Sequence, residues 1–103
     1  QPFEVSIDGI VIRGRMDAVF RDESGWHIVD WKTGQLPSRA DMRYLTMQLA
    51  VYRIAWAQLQ GIDPDEIHAS FYYVRYDKLS SADNLPSERE IAETLRLAAQ
   101  PLE

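Results

Sequence analysis

Gly14-Arg15-Met16-Asp17, followed by Trp26-His27-Ile28-Val29-Asp30-Trp31-Lys32-Thr33-Gly34, decides the fold. The second stretch is aromatic and β-branched as far as Trp31, the composition of a half-buried strand. Asp30 and Lys32 stand two residues apart in it, so a strand projects both from one face. The first stretch lies in a run where Ile10, Ile12, Met16, Ala18 and Phe20 hold even positions and Arg13, Arg15 and Asp17 hold odd ones. That alternation predicts one strand over 10–20 with a single apolar side. Between the two stretches, residues 21–25 read as a turn. Toward the N-terminus, Val5 and Ile7 alternate with Ser6 and Asp8, and Asp8-Gly9 is a hairpin signal because both residues tolerate positive φ. Three strands in a meander would bring Asp17, Asp30 and Lys32 together.

Downstream the period changes. Gly34 and Pro37 make residues 33–41 a loop, and Leu45, Leu49, Tyr52, Trp56 and Leu59 recur at helical spacing over 42–60. Asp41 suits the N-cap and Gly61 the residue after the helix. Residues 67–76 are too aromatic in succession for a helix and predict a strand on the sheet edge. Pro86-Ser87-Glu88-Arg89-Glu90 opens a last helix with Ile91, Leu95 and Ala98 on one side. The expected class is α/β: a small mixed sheet, made of an antiparallel meander and then a helix and a further strand, with flanking helices.

At 103 residues the chain supports one domain with one modest core. A 46% hydrophobic content with three Trp and five Tyr separates it from disordered segments. The absence of Cys excludes a disulfide scaffold, a thiolate zinc site, a cysteine-ligated iron-sulfur cluster and a cysteine nucleophile. The net charge of −5 argues against holding nucleic acid by bulk electrostatics alone. No signal segment and no bilayer-length apolar run is present, so the cytoplasm is the default expectation and no membrane partner is expected. A chain that opens on Gln1 and enters a strand at once reads as a piece of a larger protein.

Two carboxylates near one point repel unless a positive charge lies between them, and a hard divalent cation such as Mg²⁺ or Mn²⁺ meets that need. A lysine beside it can position an attacking water. Blander readings exist for each residue: Asp17 paired with Arg13 or Arg15 on an exposed face, Gln48 and Tyr52 packing the helix on the sheet, Arg39 and Arg43 in a solvated loop rather than on a phosphate. His27 alternates with Asp30 and so faces away from the site; it and His68 read as structural. Trp26, Trp31 and Trp56 read as core or rim.

Taken in order, Gly14-Arg15-Met16-Asp17, then Ile28-Val29-Asp30-Trp31-Lys32-Thr33-Gly34, then Gln48-Leu49-Ala50-Val51-Tyr52 resemble the PD-(D/E)xK nuclease superfamily. More narrowly they resemble the RecB-like nuclease domain at the C-terminus of helicase-nucleases of the RecB, AddA, AddB and UvrD-related type. The resemblance runs from Phe3 to about Tyr76 and implies a restriction-endonuclease-like core. It implies Asp17 and Asp30 as ligands of Mg²⁺ or Mn²⁺, with the Trp31 carbonyl as a further ligand. Lys32 becomes the catalytic lysine, and Gln48 and Tyr52 complete the set on one helix face. Glu4 matches, more loosely, a glutamate that opens the first strand in relatives. Relatives usually add a histidine from a helix upstream of the first strand, a position that would precede Gln1. The implied activity is a DNA exonuclease domain covering 1–103, part of an ATP-dependent helicase-nuclease in double-strand break repair and recombination. Its partners would be single-stranded DNA or a duplex end and helicase domains, and no iron-sulfur cluster is expected. A catalytically inactive module for DNA binding or subunit docking is the alternative, and a stand-alone restriction or junction-resolving endonuclease a third.

Overall fold

Asp8 and Gly9 adopt φ of 52° and 79°, and this two-residue turn pairs strand β1 (Pro2–Ile7) with β2 (Ile10–Arg15) in register Ile7 to Ile10. Two positive-φ residues are the signature of the hairpin turn whose twist matches its strands. The computed structural model describes residues 2–82 and 85–98. After β2 come β3 (Ala18–Asp22), β4 (Gly25–Lys32), helix α1 (Arg39–Gln60), β5 (Ile67–Tyr73), β6 (Lys78–Ser81) and helix α2 (Glu88–Ala98), with one-turn 3₁₀ segments at Pro64–Glu66 and Val74–Tyr76. The arrangement is mixed α/β, a small mixed sheet with flanking helices.

The predicted single strand over 10–20 is two strands in two sheets. Arg15 pairs with Pro2, whereas Ala18 pairs with Val29, so the chain changes partner at Met16 and Asp17. Met16 is driven into the core at 1% exposure, and the handover reverses the facing of the β3 residues beyond it. Val19 therefore packs on the core and Phe20, expected inside, is 48% exposed. The meander is thus a two-stranded β1-β2 ribbon beside a four-stranded sheet ordered β3-β4-β5-β6.

The expected five-residue turn contracts to Glu23-Ser24, because Asp22 pairs with Gly25 and its carboxylate accepts from both the Ser24 amide (2.8 Å) and the Ser24 hydroxyl (2.7 Å). β4 then runs parallel to β5, with α1 as the crossover between them. Two parallel neighbours need such a crossover. The strand predicted over 67–76 stops at Tyr73 and is interior rather than an edge. A 3₁₀ turn and Asp77 at φ 47° reverse the chain into β6, which was not anticipated and supplies the edge.

Ser38, not Asp41, caps α1: its hydroxyl accepts from the Asp41 amide at 3.2 Å, so the helix starts at Arg39. Gly61 ends it in the left-handed conformation, as expected. From Leu49 to Ala57 nearly every residue is buried, small Ala50, Ala55 and Ala57 among them. A helix apolar on all sides is an interior helix, and this half is enclosed by the sheet, β1 and α2. Leu59 and Ala98, expected on apolar faces, are exposed. Val5, Ile7, Met16, Ile28, Leu49, Ile54 and Ile91 are the largest fully buried side chains. No helix among the described residues is long and apolar enough to cross a membrane.

Candidate active site

The change of partner at Met16 and Asp17 builds the site. Continued one step, the β3-β4 register sets Asp17 opposite Asp30. Asp17 Oδ2 accepts from the Trp31 amide at 3.0 Å, which ties the entry of β3 to the end of β4. N–H and C=O of one strand residue point to the same edge, so the Trp31 carbonyl also faces the β3 side. Its indole lies on the opposite face from Asp30 and is 54% exposed. Lys32 projects with Asp30, and its Nζ stands 2.8 Å from Asp30 Oδ2. Arg13 pairs instead with Glu4, at 2.6 Å on the exposed side of the ribbon. That removes the competing Arg13 partner for Asp17 and leaves Glu4 in its own surface pair.

Asp30 is 5% exposed, the single charged group in the buried set among the described residues. Burial first, and then the Asp17 carboxylate within hydrogen-bonding reach, push its pKa up against the pull of Lys32. Asp17 is held low by the Asp30 carboxyl first, with the Trp31 amide and Lys32 assisting and desolvation opposing. Without a cation the two carboxyls are therefore inequivalent, Asp30 holding its proton more tightly. Asp30 Oδ2 has no aligned hydrogen-bond donor, and its contact with Lys32 is ionic. A crowded pair of carboxylates, one of them buried, fits a hard divalent cation. Among the described residues no third His, Cys, Asp or Glu joins them.

Tyr52, one turn beyond Gln48 on α1, is 8% exposed. Its phenol is pushed up to about 12 by burial first and then by Asp30 and Asp17, so it is a neutral hydrogen-bond donor close to both carboxylates. The ring meets Phe3 edge-on at 5.2 Å. Gln48 and Tyr52 share a cleft of about 360 Å³ with Phe3, Arg13, Gly14 and Tyr44, between α1 and the ribbon. Gln48 thus lies with Tyr52 in a cleft that Asp17, Asp30 and Lys32 do not line; only Tyr52 links it to the carboxylates. Arg39 and Arg43 are exposed on the opening turns of α1 and line a separate groove.

The histidines are elsewhere. His27 bonds Asp22 and Ser24, each at 2.9 Å, and stacks between Phe20 and His68 on the far face of the sheet. Trp26 and Trp56 meet edge-on at 5.1 Å against the core.

Sequence comparison finds that the PD-(D/E)XK nuclease superfamily matches residues 1–102. The chain belongs to this superfamily. The gene 69 protein of Mycobacterium phage D29 is 36% identical over 61 residues, which make up 59% of this chain and 20% of that protein. The matched stretch thus spans about a fifth of that relative's length.

Two residues around the candidate site gain a specific structural part that their place in the sequence does not assign. Gly14 has one because Phe3 folds directly over it. Tyr73 lies beside Lys32 in the parallel register. That neighbourhood follows only from the α1 crossover, and no local spacing reports it.

Proposed function

We propose that this domain is a Mg²⁺- or Mn²⁺-dependent deoxyribonuclease that hydrolyses phosphodiester bonds. The observation that carries the reading is the convergence of Asp17, Asp30 and Lys32 at one point of the sheet. Asp17 and Asp30 would hold the cation, with the Trp31 carbonyl on the same edge. The ion, when bound, lowers the pKa of a water ligand and offsets charge on the phosphoryl group. Lys32 orients the attacking water and meets negative charge developing on the phosphate. Tyr52, neutral at all physiological pH, donates toward the DNA, and Gln48 holds the strand in the same cleft. Superfamily membership supports hydrolysis. The order Gly14-Arg15-x-Asp17, Asp30-Trp31-Lys32-Thr33-Gly34 and Gln48-x-x-x-Tyr52 supports the narrower RecB-like assignment. On that assignment the domain is an exonuclease working with helicase domains in double-strand break repair and recombination, in the cytoplasm. A net charge of −5 fits a partner that supplies much of the DNA grip.

The test is DNA cleavage with Mg²⁺ or Mn²⁺ by the wild type and by Asp30→Ala. Loss of cleavage in the variant, with ATP hydrolysis and unwinding by associated helicase domains intact, is expected. Undiminished cleavage by Asp30→Ala overturns the assignment. The second reading is a catalytically inactive nuclease-fold module for DNA binding or subunit docking. It is motivated by the two-carboxylate site, which no third His, Cys, Asp or Glu joins among the described residues. A wild type that binds DNA but neither binds Mn²⁺ nor cleaves favours that reading.

A further inference from the structure

Tyr73 is the Cα partner of Lys32 across β4-β5 and of Lys78 across β5-β6. Partners in register project from one face, so its side chain shares the α1 side of the sheet with Asp30 and Lys32. It is 2% exposed, and its hydroxyl is buried without a hydrogen-bond partner. Burial pushes its pKa up, with Lys32 opposing and Asp30 adding, so the neutral hydroxyl lies within electrostatic reach of both. A buried hydroxyl without a partner is destabilising, and phenylalanine would fill the same volume without that penalty.

Lys32 explains what the hydroxyl is for. Its ammonium is committed to Asp30 Oδ2 at 2.8 Å. A divalent ion held by Asp30 would compete for that carboxylate and repel the ammonium. An ammonium carries three donors and no acceptor, so a partly buried lysine that loses its carboxylate needs another oxygen. The Tyr73 hydroxyl, one strand away, has unused lone pairs. Lys78, on the other side of Tyr73, is exposed and has water available.

We propose that Tyr73 accepts a hydrogen bond from Lys32 when a divalent cation occupies Asp17 and Asp30, and so acts as the positioning residue for the lysine. The inference rests on the metal-site reading above. The Asp30-Lys32 pair is then the metal-free arrangement and the Tyr73-Lys32 pair the loaded one.

The experiment is a calorimetric titration of Mn²⁺ into the wild type, Tyr73→Phe, Lys32→Met, the double variant and Asp30→Asn. Tyr73→Phe should weaken Mn²⁺ binding about tenfold, the scale of one hydrogen bond to a charged group. In the Lys32→Met background the same change should alter affinity by less than about twofold, since no ammonium is left to receive. The metal-free melting temperature of Tyr73→Phe should equal or exceed that of the wild type. Unchanged Mn²⁺ affinity in Tyr73→Phe, or equal weakening in both lysine backgrounds, overturns the proposal. If Asp30→Asn abolishes binding while Tyr73→Phe is silent, the Tyr73 role alone fails. If Asp30→Asn binds Mn²⁺ as the wild type does, the metal-site reading fails and takes the Tyr73 role with it.

Discussion

Gly14→Ala should destabilise the protein through one aromatic ring, and the sign of its effect should reverse when that ring is removed. Gly14 pairs with Phe3 across the ribbon, and a Cβ at position 14 would lie 2.8 Å from Phe3 Cε1 and Cζ and 3.7 Å from Tyr52 Cε1. Contacts of that length do not persist, so the far edge of the Phe3 ring must swing away. Its edge-on contact with Tyr52 at 5.2 Å goes with it, a loss of about 0.5–1.5 kcal/mol. Exposing part of the ring adds about 1 kcal/mol at ~25 cal/mol per Å². Against this, φ at Gly14 is not in the left-handed region, and alanine in a strand is better than glycine by roughly 0.5–1 kcal/mol. The net is a destabilisation of about 1 kcal/mol. In a Phe3→Ala background only the alanine gain remains, so Gly14→Ala should there stabilise by roughly 0.5–1 kcal/mol. Urea unfolding of the four proteins measures both legs as a double-mutant cycle. A Gly14→Ala that is neutral in the wild type, or equally destabilising with and without the Phe3 ring, refutes the reasoning. Because Tyr52 borders both the ring and the carboxylates, the wild-type leg should also lower DNA cleavage.

Three further outcomes can be checked on the same protein. Ser38→Ala removes the oxygen that accepts from the Asp41 amide and should cost about 1 kcal/mol in urea unfolding, whereas Ser38→Gly should cost only a few tenths. Asp22 is held down to about 2, first by the Ser24 hydroxyl and then by His27, against an ordinary value of 3.8. A depressed carboxylate contributes stability above its ordinary value and loses it as pH falls through the folded one; a ¹³C titration midpoint of Asp22 near 3.8 would contradict these contacts. Leu49→Ala empties a site of 0% exposure at the centre of α1 and should cost about 2–5 kcal/mol, read from the shift of the urea midpoint.

Much of this was legible in the sequence because it depends on near neighbours. The Asp8-Gly9 turn, the apolar period of α1, the Gly61 stop and the shared face of Asp30 and Lys32 are each fixed by residues within a few positions. What was not legible depends on partners far along the chain. Position 38 outcompeted Asp41 as a cap because Ser38 reaches the Asp41 amide, a choice between two good caps that composition does not settle. β6 has four residues and alternates weakly, so its existence rests on pairing with β5 rather than on pattern. Phe20 has the parity of a core residue in a continuous strand and lost it only because the strand was not continuous.

That discontinuity is also what makes the site. In an unbroken strand over 10–20, Met16 and Asp17 would both have lain in a regular ladder, and nothing would have required an acidic residue at the seventeenth position. At the handover from β1 to β4, Met16 drops into the core at 1% exposure while Asp17 takes the Trp31 amide and comes up against Asp30. One side chain anchors the crossing and the next carries the charge. The crossing therefore brings a second carboxylate to a buried one, an arrangement that costs stability in the metal-free protein. A fold optimised only for stability would replace Asp30 with an apolar residue like its neighbour Ile28; Lys32 at 2.8 Å offsets one of the two charges, and on the function proposed above a bound cation would offset the other.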